Sequence, residues 1–448
     1  MEDIIITEVN YNENVEINID GYKHVFVTIV SAILAKNVTV TLKNVPNIYD
    51  TKQIISILQS FGKIVEYNPE NKEMTIFRGK ILNSKLDNAL SSTIHGSIYL
   101  FIGVTIASGC GEINQSGGCK IGTSNEFSSR PEHHFFEVMK LFGINSYSRD
   151  TGERVCVVEN LDSVDIDIND FEGDNPLSSN LHSGATKAAI LCSLGLKSGN
   201  VKIMNPYLKP DVTELLNFIE QLGYKVIQTT DFIEIAIQGV ETNSTTFSIM
   251  PDISEIISFI SFSIYNKQNI KLIFGNHDKV KRGLKEEFKI LENMGVPFYW
   301  KKDGILIRGS SDLIFQYFDI TVTSSTIFSD SQPFFAILGL LGNGISRITE
   351  GIWISRFDYA KEAKKLGIPF EVDENTLLIY PFKDDLIKTD KIRANDLRAA
   401  FALLIIACKY KELSNNNILI QDFYHVHRGY GGIYEKLNKL GIGYEILK

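Results

Sequence analysis

Charged residues stand at the beginnings of several predicted buried helices, where they could bind an anion and transfer a proton. The segments are Asp20-Gly21-Tyr22-Lys23, Ser329-Asp330-Ser331-Gln332 and Asn395-Asp396-Leu397-Arg398. A helix N-terminus attracts anions through its free amide groups and its dipole. Helix capping alone explains Asp330 and Asp396 when each is considered separately. Lys23 and Arg398 oppose the helix dipole, so their positions favour an anion bound at these helix starts.

Arginine is the minority among the 45 basic residues, which suggests that it is used where its geometry matters. The planar guanidinium fork suits carboxylate and phosphate groups. Arg130, Arg356, Arg398 and Arg428 are therefore candidates for anion binding. A solvated salt bridge explains any one of them taken alone.

A glycine-rich stretch from Gly109 to Gly122 contains one cysteine beside a lysine. Cys119 next to Lys120 in a polar loop is in a setting that lowers the pKa of a thiol. The stretch has neither the spacing of a phosphate-binding P-loop nor that of a dinucleotide fingerprint. A structural loop and a reactive cysteine both stay open as interpretations of this stretch.

Composition narrows the class of protein. The chain has 448 residues, 44% of them apolar and 22% charged, which is typical of a globular protein of two or three domains. A net charge of −9 disfavours non-specific nucleic-acid binding. No secretory signal and no apolar run of bilayer length is visible, so a cytoplasmic protein without a membrane partner is expected. Five scattered cysteines and the pair His425-x-His427 form no metal-ligand pattern.

An internal repeat organises the chain. Six glycines, 72 to 81 residues apart, each follow an apolar residue at the end of an amphipathic segment: Gly62, Gly143, Gly223, Gly295, Gly367 and Gly441. Each is expected to end a helix in the left-handed conformation. A second helix in each repeat is apolar on nearly all sides and therefore buried. The sequence thus predicts an α/β (α+β) protein with six repeats of strands plus two helices, three repeats in each of two lobes.

The last repeat is incomplete, because the chain ends one strand after Gly441. The strand-like segments Asp3 to Val9 and Asn14 to Ile19 are expected to complete it. The resulting prediction is a first lobe at 23–249, which carries the cysteine loop at about 108–130, and a discontinuous second lobe at 1–22 and 250–448.

Seven short motifs together resemble the enolpyruvyl transferases over nearly the whole chain. They are Gly21-Tyr22-Lys23, Gly117-Gly118-Cys119-Lys120-Ile121-Gly122, Ser183-Gly184-Ala185-Thr186, Phe328-Ser329-Asp330-Ser331-Gln332, Ser355-Arg356-Phe357, Asp396-Leu397-Arg398-Ala399 and His427-Arg428-Gly429-Tyr430. The chain is most similar in these motifs to UDP-N-acetylglucosamine 1-carboxyvinyltransferases, and more distantly to 5-enolpyruvylshikimate-3-phosphate synthases. The resemblance implies a two-lobed fold, an inside-out α/β barrel. It also implies transfer of the carboxyvinyl group of phosphoenolpyruvate to a uridine nucleotide, as in peptidoglycan precursor synthesis. No cofactor, no metal and no particular oligomeric state are implied.

The resemblance also implies how phosphoenolpyruvate would be held. Lys23, Arg130 and Arg428 would bind its phosphate, and Arg356 and Arg398 its carboxylate. Five cations are a reasonable complement for one trianionic ligand.

Three further residues would transfer protons according to the same resemblance. Asp330 would take the proton from the acceptor hydroxyl, Asp396 would assist proton transfer, and Cys119 would act as general acid and be the target of fosfomycin. The chemistry requires such a set, because the enol carbon becomes electrophilic only when its methylene group is protonated while a base frees the acceptor oxygen.

Five positions differ from the family pattern, and three of them, His133, Asn180 and His182, lie where the acceptor's nucleotide is expected. His24 replaces the asparagine of the family, and His95 replaces an arginine. His133 replaces an aspartate, Asn180 replaces a lysine and His182 replaces a serine. Ser183 and Gly184 match the family and complete the predicted acceptor site. The loop between Cys119 and Arg130 is also six residues longer than is usual in the family.

Two classes of function stay open. The first is an active transferase that uses UDP-N-acetylglucosamine or a related nucleotide such as uridine monophosphate in a secondary-metabolite pathway. The second is a non-catalytic paralogue that only binds ligand. Retention of both an acid and a base favours the active enzyme, because a pure binding protein has little use for both.

Overall fold

The computed structural model describes residues 2–118, 121, 130–171, 179–237, 244–309, 314–354, 356–382 and 389–448. These residues form two lobes. The first lobe comprises Gly21–Gly118 and the chain from 130 to Met250, and the second comprises the residues up to Asp20 together with Pro251–Lys448. Cys119 and Ser355 lie outside the described residues.

The N-terminal segment and the first lobe contain fourteen described strands and seven described α-helices. The strands are β1 (Asp3–Val9), β2 (Val15–Asn18), β3 (Thr39–Lys43), β4 (Val65–Asn68), β5 (Glu73–Ile76), β6 (Lys85–Leu86), β7 (Cys110–Ile113), β8 (Ile144–Ser148), β9 (Arg154–Val158), β10 (Asp165–Asp167), β11 (Gly199–Met204), β12 (Lys225–Gln228), β13 (Phe232–Ile237) and β14 (Ser244–Ser248). The helices are α1 (Lys23–Lys36), α2 (Tyr49–Ser60), α3 (Asn88–Ser91), α4 (Ser97–Ser108), α5 (His133–Leu141), α6 (His182–Ser193) and α7 (Pro210–Gln221).

The rest of the second lobe contains ten described strands and seven described α-helices. The strands are β15 (Ile270–Ile273), β16 (Phe298–Lys301), β17 (Gly304–Ile307), β18 (Asp319–Val322), β19 (Ser346–Glu350), β20 (Phe370–Asp373), β21 (Thr376–Ile379), β22 (Lys391–Arg393), β23 (Ile418–Gln421) and β24 (Ile442–Leu447). The helices are α8 (Ile253–Tyr265), α9 (His277–Gly283), α10 (Lys285–Met294), α11 (Gln332–Gly339), α12 (Asp358–Lys364), α13 (Leu397–Ser414) and α14 (Ile433–Leu440). Short 3-10 helices span Ile168–Asp170 in the first lobe and Phe423–Arg428 in the second.

The described strands form six four-stranded sheets, three in each lobe. The first lobe has the orders β14-β3-β5-β4, β6-β7-β9-β8 and β10-β11-β13-β12, and the second has β16-β17-β15-β2, β18-β19-β21-β20 and β22-β23-β1-β24. In every sheet one outer pair of strands is parallel and the other two pairs are antiparallel. This common pattern is the structural form of the sequence repeat.

The two N-terminal strands enter different sheets. Strand β1 pairs antiparallel with β23 and β24 of the last repeat. Strand β2 instead pairs in parallel with β15, from Val15 opposite Ile270 to Asn18 opposite Ile273. The expectation that both segments complete the last repeat is therefore wrong for the second one. Without β2, the sheet would end at β15, whose outer edge would present unpaired main-chain groups.

The glycines that mark the repeat adopt the predicted conformation. All six have positive φ, between 79° and 99°. An L-residue rarely adopts this region, so glycine is the residue that ends a helix there at least cost.

Three buried helices form the core of each lobe. Helices α1, α4 and α6 pack against one another in the first lobe, and α8, α11 and α13 do so in the second. Gly103 allows close approach in the first lobe, because a Cβ atom at that position would lie 2.5 Å from the carbonyl oxygen of Ser31. Among the described helices none has the length and apolar character of a membrane span. Six of the predicted site residues lie in the first turns of these core helices: Lys23, His24, His182, Ser183, Gly184 and Arg398.

Candidate active site

Asp330 lies immediately before helix α11, whose N-cap is Ser331. Its carboxylate accepts hydrogen bonds from two arginines of the same lobe: Arg356 Nη1 lies 2.9 Å from Oδ1, and Arg398 Nε lies 2.9 Å from Oδ2. The side chains of Arg356 and Arg398 are only 5% and 1% exposed, whereas that of Asp330 is 22% exposed. The structure thus brings together three of the predicted site residues around one accessible carboxylate.

Several buried polar atoms of the two arginines have no hydrogen-bond partner of good geometry among the described residues. Within the described residues, Nη1 and Nη2 of Arg398 and Nε of Arg356 are buried and have no hydrogen-bond partner. Burial by itself lowers the pKa of Arg398, but Asp330, Tyr430 and Asp252 together outweigh this effect and raise the pKa. The pKa of Arg356 is raised in the same way, against its burial, by Asp330, Asp396 and Glu350. Both guanidinium groups are therefore charged donors with unused capacity, as an anion-binding site requires.

Two buried glutamates, which sequence reasoning missed, support this cluster. Glu350 accepts hydrogen bonds from Ser329 Oγ at 2.8 Å and from the amides of Ile352 and Trp353 at 2.9 and 3.1 Å. Glu287 accepts from the Phe328 amide at 2.8 Å and from Ser331 Oγ at 3.1 Å. Burial raises the pKa of Glu350 despite these hydrogen bonds. The only sequence signal was that Glu350 stands at the end of a strand, close to a motif that contains Arg356.

Asp396 and Arg428 occupy other positions in the same lobe. Asp396 is the N-cap of α13, where Oδ1 accepts from the amides of Arg398 at 2.7 Å and Ala399 at 3.0 Å. Arg428 is half-buried at the end of the 3-10 helix Phe423–Arg428. The neighbouring His427 makes a local contact, with Nε2 2.6 Å from Glu2 Oε1.

Lys23 and His24 begin helix α1 in the first lobe. Lys23 Nζ lies 3.2 Å from Asp50 Oδ2, and its side chain is 15% exposed. The ring of His24 lies edge-on to that of Tyr22, with 5.1 Å between the centroids. Among the described residues, no side chain caps the N-terminus of helix α1, and Lys23 and His24 are the first two residues of its first turn.

The residues expected at the acceptor site lie at the starts of α5 and α6. His182, Ser183 and Gly184 form the first turn of α6, and His133 is exposed at the start of α5. Gly184 is required by a close approach, because a Cβ atom there would lie 2.2 Å from Nε2 of His134. Burial lowers the pKa of His182, although the charge of Asp167 raises it. His182 is therefore neutral at pH 7.

His95 and Arg130 flank the part of the cysteine loop that the structure describes. Nδ1 of His95 lies 3.2 Å from Ser116 Oγ, and Ser116 donates its amide to Glu132 Oε1 at 3.0 Å. Arg130 is half-buried. The position of Cys119 relative to them lies outside the described residues.

The first lobe also contains a buried ion pair that the sequence did not suggest. Lys187, on α6, is 2.7 Å from Asp211 Oδ2 on α7, and both side chains are less than 8% exposed. The Lys187 ammonium also stands 4.9 Å from the ring centroid of Tyr99 on α4. Burial lowers the pKa of Lys187, but Asp211 and Tyr99 outweigh it and raise the pKa. Through these contacts the pair and Tyr99 connect α4, α6 and α7.

Comparisons with known proteins extend over the whole chain. The family described as EPSP synthase (3-phosphoshikimate 1-carboxyvinyltransferase) matches residues 12–437. The chain is 27% identical over 436 residues to UDP-N-acetylglucosamine 1-carboxyvinyltransferase of Pelagibacter ubique (strain HTCC1062), and the match covers 95% of each protein. It is also 27% identical over 442 residues to the protein of the same name from Thermotoga maritima, with 97% of this chain and 96% of that protein covered.

Two solved structures resemble this one. The enolpyruvyl transferase NikO from Streptomyces tendae has a TM-score of 0.88 and 26% identity, with 99% of this chain and 98% of NikO covered. EPSP synthase from Acinetobacter baumannii has a TM-score of 0.71 and 15% identity over the full length of both chains, a likeness of fold alone.

Proposed function

The chain belongs to the EPSP synthase family of enolpyruvyl transferases, and on that premise we propose that it is a cytoplasmic enzyme of peptidoglycan precursor synthesis. It transfers the carboxyvinyl group of phosphoenolpyruvate to the 3-hydroxyl of UDP-N-acetylglucosamine and releases phosphate. The proteins from Pelagibacter ubique and Thermotoga maritima that cover nearly the whole chain carry the name of this activity. That likeness supports the proposed acceptor.

The observation that carries the proposal is the Asp330 cluster. Two guanidinium groups at 2.9 Å favour the ionised carboxylate, and only the ionised form can accept a proton. A buried donor without an acceptor costs about 1–3 kcal/mol, so an anion that engages the unused atoms of Arg356 and Arg398 removes this cost. The carboxylate of phosphoenolpyruvate provides two acceptor oxygens in the geometry that arginine prefers.

The reaction then consists of an addition and an elimination. Asp330 removes the proton of the acceptor hydroxyl while Cys119 protonates the methylene carbon, and the acceptor oxygen bonds to the enol carbon. Loss of a proton from the new methyl group restores the double bond as the C–O bond to phosphate breaks. Asp396 assists this proton transfer, and fixed charges stabilise the departing phosphate.

The other predicted residues bind the substrates in this proposal. Lys23, Arg130 and Arg428 hold the phosphate group. The acceptor contacts His24, His95, His133, His182 and the helix start at Ser183 and Gly184. An anion at this helix start gains from the free amides and from the helix dipole.

A second acceptor is supported by one specific feature. Asn180 and His182 stand where the family resemblance implies lysine and serine beside a diphosphate, and the pKa of His182 is lowered by burial. The positive charge at this position is thus reduced at pH 7. A smaller charge favours a nucleotide with one phosphate, such as uridine monophosphate.

Phosphate release distinguishes these functions. The wild-type protein is incubated with phosphoenolpyruvate and either UDP-N-acetylglucosamine or uridine monophosphate, and inorganic phosphate is measured over time. Acceptor-dependent release with the sugar nucleotide supports the primary proposal, and faster release with the monophosphate supports the second. Release with neither would indicate a protein that only binds ligand.

A further inference from the structure

The proton acceptor Asp330 is held between two serines whose hydroxyl groups both bond to buried carboxylates. Ser329 Oγ donates to Glu350 at 2.8 Å and Ser331 Oγ donates to Glu287 at 3.1 Å. Glu350 is 0% exposed and Glu287 is 1% exposed. One glutamate therefore fixes the chain on each side of the base.

Stability alone does not explain these two carboxylates. Burying an ionised carboxylate costs several kcal/mol, and an apolar side chain of similar volume often stabilises a protein as well or better. Glu350 recovers part of this cost through three neutral donors, and burial still raises its pKa. Residues that are costly to bury are expected where a defined geometry is needed.

The Glu350 contacts form a continuous path to the base. Ser329 Oγ donates to Glu350 and at the same time accepts from Arg356 Nη1 at 3.0 Å. The same Nη1 atom donates to Asp330 Oδ1 at 2.9 Å. Glu350 thus fixes the direction of the Ser329 hydroxyl, and the hydroxyl fixes the guanidinium group that orients Asp330.

Glu287 acts on the main chain instead. It accepts from the Phe328 amide at 2.8 Å as well as from Ser331, through the same oxygen, Oε1. These two donors bracket residues 329 and 330. Glu287 therefore sets the backbone position from which the Asp330 side chain extends.

We propose that Glu350 and Glu287 are positioning residues for proton abstraction by Asp330. Glu350 acts through Ser329 and Arg356. Glu287 acts through the backbone of residues 328–331. The inference rests on the proposed function for the role of Asp330. It goes beyond that function by assigning a catalytic effect to two buried residues that do not contact the substrate.

The test of Glu350 is a double-mutant cycle on kcat, measured as phosphate release at saturating phosphoenolpyruvate and acceptor. In Glu350→Gln the amide group reverses the hydrogen bond to Ser329, and Ser329→Ala removes it. A misplacement of about 1 Å costs on the order of 100-fold in rate, so each variant is expected to lose about 10- to 100-fold in kcat. Because both act through one path, the double variant is expected to be no slower than the worse single variant. Losses that multiply would overturn the assignment.

The test of Glu287 uses rescue by the conservative variant. Glu287→Gln keeps an oxygen that accepts both hydrogen bonds and is expected to keep kcat within about threefold, whereas Glu287→Met removes the acceptor and is expected to lose about tenfold. Equal rates for the Met variant and the wild type would overturn the role of Glu287. So would a glutamine variant as slow as the Met variant.

A control removes a carboxylate that is remote from this cluster in sequence and lobe. Glu234, in the first lobe, accepts a hydrogen bond from Asn200 at 3.2 Å, and Glu234→Gln is expected to leave kcat unchanged. All variants are compared by thermal unfolding, so that a loss of kcat is assigned to positioning only where the protein is folded at the assay temperature.

Crystal structures of the variants separate this inference from the proposed function. If the wild type transfers no carboxyvinyl group, the function fails, but the positioning role can still be judged from the contact between Arg356 Nη1 and Asp330 Oδ1. Loss of this contact in Glu350→Gln and in Ser329→Ala supports the inference. An unchanged contact in both variants contradicts it.

Discussion

The helix starts of the two lobes differ in the kind of charge they carry. In the second lobe, one carboxylate, Asp330, is shared by two buried arginines whose pKa values are raised. In the first lobe, histidines stand at or near the starts of α1, α4, α5 and α6, and the pKa of His182 is lowered by burial. Arginine stays charged when it is buried and therefore needs a counter-charge beside it, whereas histidine can be buried neutral. The second lobe thus offers permanent charge, and the first offers charge that depends on pH and ligand.

The cations of the first lobe show the same contrast. Lys23 pairs with Asp50 and Lys187 pairs with Asp211. Each of these lysines has a carboxylate of its own, whereas in the second lobe one carboxylate serves two guanidinium groups. Among the described residues, this arrangement leaves buried guanidinium atoms of Arg356 and Arg398 without a hydrogen-bond partner.

The largest expected effect tests the base in the second lobe. Asp330→Asn removes the proton acceptor and is expected to lower kcat by about 10²- to 10⁴-fold, the usual contribution of general base catalysis. Binding of phosphoenolpyruvate is expected to persist, because both arginines keep their charge. Steady-state phosphate release and calorimetric titration with phosphoenolpyruvate measure the two effects.

The matched comparison for this prediction is Asp396→Asn. Asp396 is an N-cap, and asparagine caps a helix about as well as aspartate, so this substitution is expected to change the free energy of unfolding little. If Asp330→Asn kept near-normal turnover and Asp396→Asn abolished it, the base would have to be reassigned to Asp396.

The next largest effect tests whether the guanidinium group of Arg398 in the second lobe binds phosphoenolpyruvate. Arg398→Lys keeps one positive charge but loses the guanidinium fork, and a lost charge-assisted hydrogen bond costs about 1.5–3 kcal/mol. Affinity for phosphoenolpyruvate is expected to fall by roughly 10- to 100-fold in calorimetric titration. Unchanged affinity would show that the unused guanidinium atoms do not bind the ligand.

A smaller effect is expected for the cysteines. Burial raises the pKa of Cys156 to about 12 and also raises the pKa values of Cys192 and Cys408, whereas Cys110 is exposed. Iodoacetamide is expected to label Cys119 about tenfold faster than Cys110, since a thiol pKa one unit lower gives about tenfold more thiolate. Peptide mass spectrometry after short labelling measures the ratio. Faster labelling of Cys110 would remove the basis for a reactive Cys119.

The smallest effect tests the pH-dependent charge of the first lobe. A neutral His182 gains a proton as pH falls, and a bound anion favours the protonated form. Affinity for UDP-N-acetylglucosamine is therefore expected to be a few-fold stronger at pH 6 than at pH 8. His182→Asn is expected to abolish this difference in calorimetry. Tight binding that is independent of pH in the wild type would contradict it.

The sequence predicted the repeat because its signals are local. A glycine at a helix end and an apolar helix are recognised from a few neighbouring residues, and the six glycines adopt positive φ as expected. The partner of β2 is not a local property, since a four-residue strand of alternating apolar and polar residues fits more than one sheet. Its pairing with β15 became visible only in the structure.

The site was predictable only in part, because some of its contacts join residues that are far apart in the sequence. Asp330 and Asp396 look alike in sequence, as acidic residues at helix starts, and only the fold separates a carboxylate held by two arginines from an N-cap. Glu287 gave no signal as a site residue, and Glu350 gave only its place at the end of a strand near Arg356, because their partners Ser331 and Ser329 lie 44 and 21 positions away.

Carbon-13 NMR of the transfer reaction tests the central claim most directly. Phosphoenolpyruvate labelled at the methylene carbon is incubated with the protein and UDP-N-acetylglucosamine, and with uridine monophosphate in parallel. The account predicts a new vinyl ether signal that grows together with an equimolar amount of phosphate and is absent with Asp330→Asn. Binding of phosphoenolpyruvate without a vinyl ether from either acceptor, or phosphate release without one, would contradict the account.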